Sequence, residues 1–414
     1  MPVDLSRFAE LTKSSATVGH AELIAEIARG DPNFCNLAGG DNVSDVFSGV
    51  VQAGRGFFGG DSLRIPYPVV RGQPDALDAV IEFQERTAGI IIPDGGKTDP
   101  AEALKVRRSH CLITPGGKYG VALTLWAIAT AYPGSSVLVF RRNWPTFVSL
   151  ARVFGLTPIL VGSIEEFEQL PKEQAENIRL VIVNNPRNPD GYVYSRRQLL
   201  QIYGISEQKC PGCIFLADEV YRLNVYPGVE FVSMQSIVGI NQCVSLFSLS
   251  KGPKMAGSRV GVLVGPWQLI GWMAGQQSET TGGVALPIQH LIPPALSALG
   301  CGVAERQMRE FVEYRDAITK WAGEESAYEA IVPSGTIYYC LDVSALIGRT
   351  VRGVKIESAK TLAMLAARHF KMGFMFNDPS GDPNSIRMNL AQVRSLEHLL
   401  MGLGYLSALA REAA

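Results

Sequence analysis

The segment SLFSLSKGPKMAGSRVG, residues 245–261, contains a lysine and an arginine whose types and spacing suit covalent chemistry on a phosphorylated ligand. Lys251 follows an apolar, strand-like run, where a lysine is costly unless it is paired, neutralised or covalently used. A desolvated amine attacks carbonyls, so the position predicts a Schiff base, although a solvated lysine is the alternative. Ser248 and Arg259 flank Lys251 at a spacing that favours it over Lys254, and Arg259 can hold a phosphate through two hydrogen bonds.

A second reactive group lies in the run CIFLADEVYRLNVY, where a carboxylate interrupts apolar residues. Asp218 needs a buried partner there, which is an arginine, a metal ion or a protonated nitrogen. An arginine would make it a structural salt bridge, and a protonated nitrogen would make it the partner of a pyridinium ring. Tyr221, three residues further on, can reach the same region.

Two turns at strand ends add polar groups. In ITPGGKYG, Gly116 and Gly117 open a helix, and the free backbone N–H groups of such a turn suit a phosphate. In NNPRNPDG, two prolines rigidify the loop and Asn188 offers both a donor and an acceptor. Together the four motifs supply phosphate donors, a ring partner, a counter-ion and an amine, which is the set that pyridoxal 5′-phosphate requires.

Three other patterns fail as functional motifs. GRGFFG, residues 54–59, satisfies the dinucleotide fingerprint by letter, but Pro66 and Pro68 follow it, so we expect a flexible loop. GGKT, residues 95–98, lacks the first glycine of a P-loop and lies in a polar loop. KCPGC, residues 209–213, has no second CxxC and no HxxxH, so we expect a plain turn rather than a redox or zinc site.

Seven short apolar runs between about residues 110 and 265 predict strands that are buried on both faces, and helical patterns lie between them. The runs are HCLIT, SVLVF, PILVG, RLVIVNN, CIFLADE, CVSLFSLS and GVLVG. They predict an α/β fold with a large, mostly parallel sheet domain. We expect residues 46–290 to form this domain, residues 291–414 to form a smaller α+β domain, and residues 1–45 to join the smaller one.

Composition restricts the class of protein. The chain has 414 residues, 47% hydrophobic and 19% charged residues, and a net charge of −1, which gives no electrostatic attraction to nucleic acid or to an anionic membrane. No apolar run reaches membrane-spanning length, and the N-terminus lacks the pattern of a secretory signal. Seven cysteines at low density favour reduced thiols, so we expect a cytoplasmic protein.

The ordered motifs resemble the fold-type I, aspartate-aminotransferase-like family of pyridoxal-phosphate enzymes, over about residues 36 to 391. NNPRNPDG is similar to the family's NPxNPTG, with Asp190 in place of threonine, and SLSKGPKMAGSRVG is similar to its lysine motif. By this resemblance Lys251 binds the cofactor, Asp218 pairs with the ring nitrogen, and Tyr221 and Asn188 contact the ring's 3-oxygen. Ser248, Arg259 and the backbone of Gly116, Gly117 and Lys118 would hold the phosphate.

The resemblance also implies residues outside these motifs. Trp144 in RRNWPTF would stack on the ring, and Tyr67 in YPVVRG would reach the phosphate of a neighbouring subunit in a homodimer with shared active sites. Arg387 in SIRMNLA would bind the substrate α-carboxylate, with Gly40 and Asn188 beside the substrate. Less specific candidates are Thr280 and Thr281 toward the partner, and Arg71 and Lys118, which suit either acidic substrates or plain surface charges.

An aminotransferase that uses amino and keto acids is the activity that the resemblance favours. The alternative is a β- or γ-eliminating lyase, an oxidase or a cyclase, since these share every cofactor residue. A non-catalytic regulator is disfavoured because Lys251 and Asp218 are present and no basic DNA-binding extension is visible. A nicotinamide dehydrogenase is disfavoured by the failed glycine motif.

Overall fold

The computed structural model describes residues 16–60, 63–377 and 381–414. Its contacts divide the chain into two compact units. The larger unit consists of Asp41–Val312 with Pro333–Ile337, and the smaller one of the described residues up to Gly40, Glu313–Val332 and Tyr338–Ala414. The division falls inside the long helix Ala298–Glu324, whereas the sequence-based boundary at residue 291 lies before this helix.

A seven-stranded sheet forms the centre of the larger unit. All seven predicted strands are confirmed: they are β1 (Cys111–Pro115), β2 (Ser136–Phe140), β3 (Thr157–Val161), β4 (Ile178–Asn184), β5 (Ile214–Asp218), β6 (Cys243–Ser248) and β7 (Val260–Val264). Their order across the sheet is β1-β7-β6-β5-β4-β2-β3. Strand β7 is antiparallel to both of its neighbours, and the other pairs are parallel.

The strands are continuous apolar runs because helices cover both faces of the sheet. Along β4, Leu180 and Ile182 belong to one buried cluster and Val181 and Val183 to another, as the alternation of a strand requires. The helices of this unit are Ser48–Phe58, Pro74–Ala88, Pro100–Ser109, Gly117–Ala131, Thr146–Val153, Ile164–Glu168, Lys172–Ala175, Arg196–Lys209, Gln235–Val238, Trp267–Thr280, Leu286–Gln289, Ile292–Leu296 and the 3-10 turn Ala256–Ser258.

One loop prediction is wrong. The segment GRGFFG lies in the helix Ser48–Phe58 and not in a flexible loop. Pro66 and Pro68 do not interrupt this helix, since it already ends before Gly59. A Cβ at Gly56 would meet no other atom within 4 Å, so no close approach of a ligand or of another segment requires this glycine.

The smaller unit contains a four-stranded antiparallel sheet. Its strands, in spatial order, are Met375–Phe376, Ser385–Asn389, Tyr338–Asp342 and Glu329–Ile331. A parallel pair, Cys35–Asn36 with Met372–Gly373, joins the N-terminal segment to this unit, and Thr350–Val351 pairs with Val354–Lys355. Its other helices are Ala16–Ile27, Ala359–Phe370, Leu396–Glu412 and the 3-10 turns Ser344–Leu346 and Leu390–Gln392. Among the described residues, no helix has both the length and the apolar character that crossing a membrane requires.

Candidate active site

Three neighbouring parallel strands of the large sheet end in polar residues. Strand β4 ends at Asn184, β5 at Asp218 and β6 at Ser248, and Asn184 is the register partner of Asp218. The carboxyl ends of parallel strands lie at the same edge of a sheet, which is where open α/β sheets bind ligands. The motifs found in the sequence therefore meet at this edge.

Asn184 connects two of these motifs and was not singled out from the sequence. Its side-chain amide donates to the backbone carbonyl of Asp218 at 3.0 Å, and its side-chain oxygen accepts the N–H of Asn188 at 2.7 Å. The Asn188 side chain is thus carried by a loop that is anchored to the end of β5. The available signal was the position of Asn184 as the last residue of an apolar strand.

Asp218 is a buried carboxylate, with 2% of its surface exposed. The one hydrogen bond that the described residues give its carboxylate comes from the N–H of Val220 at 3.3 Å. Burial raises the pKa of Asp218 to about 7, the Val220 N–H and the charge of Lys251 oppose this rise, and Glu219 adds to it. A carboxylate with so few donors is suited to a positively charged partner that is not part of the chain.

Lys251 lies beside this carboxylate. Its Nζ is 5.8 Å from the centre of the Tyr221 ring, and Tyr221 itself is buried. The next residue, Gly252, is required by packing, because a Cβ there would lie 2.9 Å from Cβ of Leu223. The structure therefore brings together the amine, the phenol and the carboxylate that the sequence analysis selected.

The glycines of ITPGGKYG form a cradle at the start of the helix Gly117–Ala131. Gly116 has φ +88°, and a Cβ there would lie 2.7 Å from Nη2 of Arg259. A Cβ on Gly261 would lie 2.7 Å from the backbone N of Gly117, and a Cβ on Gly117 would lie 3.5 Å from Cβ of Ser248. Backbone N–H groups, a hydroxyl and a guanidinium at a helix N-terminus form a donor set for a phosphate.

Lys118 and Trp144 lie next to this cradle. Nζ of Lys118 is 5.4 Å from the centre of the Trp144 ring, and Trp144 packs edge-on against Phe147. Burial lowers the pKa of Lys118, and the nearby charge of Arg259 lowers it further. The half-buried indole presents a flat apolar surface and the lysine a cation at the same place.

Asp190, which replaces the family's threonine, is an internal ion-pair partner. Arg187 donates Nε to Oδ1 at 2.9 Å and Nη2 to Oδ2 at 2.5 Å, and Arg142 lies 3.8 Å from Oδ2. Because its side chain is nearly fully buried in this bidentate pair, Asp190 keeps the loop of Asn188 in shape.

In the smaller unit, Arg387 and Gly40 both lie near Tyr338. The guanidinium of Arg387 is 4.1 Å from the centre of the Tyr338 ring, and a Cβ on Gly40 would lie 3.9 Å from the Tyr338 hydroxyl. The side-chain amide of Asn389 donates to the backbone carbonyl of Gly39, the residue before Gly40, at 2.8 Å. A guanidinium this close to a phenol ring is a cation whose planar group suits a bidentate pair with a carboxylate.

The remaining candidates lie at the surface or in the frame of the larger unit. Tyr67 is 99% exposed. Thr280 ends the helix Trp267–Thr280 and contacts the Tyr119 hydroxyl, and Thr281 is exposed beside it. Arg71 is neither a surface charge nor a free cation, because its Nη1 donates to the carbonyls of Ser109 and Cys111 at 2.9 and 3.3 Å.

Comparison with known proteins identifies the family. The family model described as aminotransferase class I and II matches residues 32–392. The aspartate aminotransferase of Streptomyces avermitilis is 30% identical over 326 residues, which are 77% of this chain and 78% of that protein. A bifunctional aspartate aminotransferase and glutamate/aspartate-prephenate aminotransferase of Petunia hybrida is 27% identical over 376 residues, 84% of this chain and 76% of the relative.

Solved structures show the same fold. The aspartate aminotransferase of Rhizobium meliloti has a TM-score of 0.85 at 20% identity and covers 100% of both chains. The aspartate aminotransferase of Thermus thermophilus with maleate has a TM-score of 0.83 at 21% identity, over 99% of this chain and 100% of the other.

The chain belongs to the class I and II aminotransferases. It is a pyridoxal-phosphate-dependent aminotransferase of the fold-type I, aspartate-aminotransferase-like architecture. The relatives support transamination over the lyase, oxidase or cyclase that shares the same cofactor residues.

Proposed function

We propose that this aminotransferase acts on a dicarboxylic amino acid and a dicarboxylic keto acid. The observation that carries the proposal is the position of Lys118, whose Nζ stands over Trp144 and beside the charge of Arg259. A half-desolvated cation next to the cofactor cradle attracts a second carboxylate on the substrate. Relatives named aspartate aminotransferase, and the Thermus thermophilus structure with maleate, support this substrate class.

The residues at the sheet edge fit pyridoxal phosphate. When bound, this cofactor supplies an aldehyde that condenses with amines and a ring that withdraws electrons from the substrate Cα. In our proposal Lys251 carries the cofactor, and the phosphate lies in the cradle described above. The carboxylate of Asp218, which accepts one backbone hydrogen bond, would keep a proton on the ring nitrogen. Because the carboxylate is buried, a positive charge beside it is strongly favourable.

The other assignments follow from the chemistry of each side chain. Tyr221 and Asn188 donate to the ring oxygen, and the Trp144 indole stacks on the ring. Once the Lys251 amine is released by a substrate amine, it would remove the proton from the substrate Cα and deliver it to C4′ of the cofactor, as transfer of the amino group requires. Arg387 binds the α-carboxylate, with Gly40 leaving room beside it.

Kinetics with a panel of amino acids and 2-oxo acids test the reaction. We expect ping-pong behaviour, an absolute need for an acceptor oxo acid, and kcat/KM values that are highest for aspartate or glutamate. Lys251→Ala abolishes turnover and removes the borohydride-reducible attachment of the cofactor. Lys254→Ala, the matched control three residues away, retains both. Ammonia release without an acceptor, or a reducible attachment at Lys254, contradicts the proposal.

Substrate class is tested at Lys118. Lys118→Ala lowers kcat/KM for aspartate by about 10-fold to 100-fold, because a charge-assisted hydrogen bond contributes about 1.5–3 kcal/mol. The same variant leaves a neutral amino acid unaffected. Lys105→Ala, an exposed lysine on the helix Pro100–Ser109, is the control. An equal loss for acidic and neutral substrates overturns the acidic subsite and leaves the aminotransferase reaction in place.

We also propose that the protein is a homodimer whose subunits share their active sites, and that it is located in the cytoplasm. The segment around Tyr67 exposes apolar side chains at Val51, Phe58, Ile65 and Val69, which favours a protein partner over solvent. The seven cysteines are free, which favours a reducing compartment.

Mixed dimers test the sharing of sites. Lys251→Ala and Tyr67→Ala are each expected to have little activity as homodimers. If Tyr67 acts across the interface, unfolding and refolding the two together restores partial activity, because some mixed dimers contain one intact site. If the refolded mixture has only the summed activity of the two separate homodimers, Tyr67 does not act across the interface.

A further inference from the structure

The connection between the helix Arg196–Lys209 and strand β5 holds two cysteines in a tight turn. The N–H of Cys213 donates to the carbonyl of Cys210 at 3.1 Å, and Gly212 has φ +73°. Pro211 followed by a glycine with positive φ is the pattern of a type II turn, whose first and last Cα atoms lie less than about 7 Å apart. That separation falls in the range that a disulfide bridges, about 4.4–6.8 Å.

Both side chains of the pair point into the protein. Cys210 and Cys213 are each 1% exposed, and both belong to the buried cluster that also contains Phe215. The prediction of a turn before the strand is therefore confirmed, but the turn also confines two thiols to one small apolar volume. Thiols that are held together need no chain rearrangement to form a bond.

A cavity of about 710 Å³ opens beside the turn, and Cys210 forms part of its wall. Lys172, Arg179 and Lys209 also line it, together with a single carboxylate, Glu176. Three cations against one carboxylate attract small anionic molecules. Because Cys210 lines this cavity and Cys213 does not, an anionic disulfide that enters it lies nearer to Cys210 than to Cys213.

The two thiols are also electrostatically unequal. Hydrogen bonding with Cys213 lowers the pKa of Cys210, burial and the charge of Glu207 oppose this, and Arg179 lowers it further. The same contact raises the pKa of Cys213, and burial adds to that rise. Because Cys210 also lines the cavity and Cys213 does not, its position makes Cys210 the attacking sulfur.

We propose that Cys210 and Cys213 form an oxidisable dithiol site that reacts with small anionic disulfides of the glutathione type. The thiolate of Cys210 attacks the external disulfide, whose S–S bond breaks and releases one thiolate. Cys213 then loses its proton and attacks the Cys210 sulfur, which releases the second thiolate. The pair loses two electrons and two protons, and the external disulfide becomes two thiols.

The site is separate from the active site. Cys213 directly precedes the first residue of β5, and Asp218 is the last, so the dithiol lies at the sheet edge opposite the carboxyl ends. The proposal therefore does not depend on the substrate class.

Trypsin provides a direct test, because cleavage after Lys209 and Arg222 releases CPGCIFLADEVYR, which contains both cysteines and no other. The holoenzyme is equilibrated with mixtures of reduced glutathione and glutathione disulfide, denatured, alkylated and digested. As the fraction of glutathione disulfide rises, we expect the doubly alkylated peptide to be replaced by an unalkylated one. That peptide is two hydrogen atoms lighter than the reduced, unalkylated form, as an internal disulfide requires. Dithiothreitol reverses the change, and peptides with the other five cysteines remain alkylated.

Two variants test the order of attack. Cys213→Ser accumulates glutathione on Cys210, and Cys210→Ser leaves Cys213 largely unmodified. A wild-type peptide that stays doubly alkylated in the most oxidising mixture overturns the site. A greater amount of adduct in Cys210→Ser than in Cys213→Ser overturns the assignment of Cys210 as the attacking sulfur.

Discussion

Two adjacent carboxylates, Asp218 and Glu219, are both buried at the end of β5 and have very different surroundings. Asp218 accepts one hydrogen bond among the described residues, from a backbone N–H. Glu219 accepts hydrogen bonds from Ser233 Oγ at 2.7 Å and Met234 N–H at 3.0 Å. It also forms a 2.7 Å ion pair with Arg222.

Arg222 is enclosed as completely as Glu219, and the side chains of both are 0% exposed. Its guanidinium lies against the rings of both Phe83 and Phe247, 5.3 and 5.4 Å from their centres, and donates to Gln84 at 2.7 Å. Burial raises the pKa of Glu219 and lowers that of Arg222, and the attraction between their charges opposes both shifts.

The comparison separates a structural carboxylate from a functional one. The chain itself supplies the counter-charge and donors of Glu219, so that group is complete when the protein folds. Asp218 is as deeply buried, the nearby charge of Lys251 offsets only part of the effect of burial on its pKa, and in our proposal a protonated cofactor nitrogen supplies its counter-charge. Three predictions sharpen this contrast.

The largest effect is expected on stability at Glu219. Glu219→Ala leaves the Arg222 guanidinium buried without its partner, which costs about 3–5 kcal/mol of unfolding free energy. Urea denaturation measures this loss. The double variant Glu219→Ala with Arg222→Met removes both charges and should regain most of it. A single variant as stable as the wild type would show that Glu219 is not the required counter-charge.

The next effect is expected on catalysis at Asp218. In our proposal Asp218→Asn removes the charge that holds the ring nitrogen protonated, so we expect kcat/KM to fall about 10²–10³-fold, the range for loss of one preorganised electrostatic contact. The variant stays folded and at pH 7 is at least as stable as the wild type, because an amide carries no buried charge. Asp78→Asn, which breaks a half-exposed pair with Arg108, is the control and should retain full activity. Activity within a few-fold of the wild type in Asp218→Asn would refute the role of this carboxylate.

The last prediction, with the smallest effect per pH unit, concerns the pH dependence of stability in the protein stripped of its cofactor. The pKa of Asp218 is raised from 3.8 to about 7 by burial, so between these values the folded state binds more protons than the unfolded state. This carboxyl therefore makes the free energy of unfolding fall by about 1.4 kcal/mol per pH unit as pH rises toward 7, and the fall stops above that. The difference between wild-type and Asp218→Asn melting curves isolates this slope. Parallel curves over that range would contradict it.

Much of the fold was predictable because it depends on local patterns. Strands such as β4 and β5 are apolar on both faces, and the same pattern that identifies them also requires the covering helices. The helix Ser48–Phe58 was missed because its glycines and the following prolines indicate a loop, whereas packing of Val50 in the core stabilises it. Tertiary contacts overrode the local signal there.

Within the candidate site, sequence patterns nominated residues that belong to ordered motifs and missed residues that act through other residues. The glycine cradle, Lys251 and Asp218 follow from residue type and spacing. Asn184 was assigned no role and Arg71 an open one. Both donate to backbone carbonyls of residues distant in the chain, and residue spacing does not predict such long-range hydrogen bonds. Asp190 differs from the family's threonine, and its structural role is explained by its ion pair with Arg187, three residues before it.

The reversed direction of β7 has a consequence for how this site is encoded. Ser248 pairs with Gly261, so the chain leaves the sheet edge after β6 and comes back to the same edge before β7 begins. If the five residues of β7 ran parallel to β6, Arg259 would start from the far side, roughly 16 Å away. A single inverted strand thus allows Lys251 and Arg259 to reach the same end of the sheet although only eight residues separate them in the chain, which is why one short motif contains both.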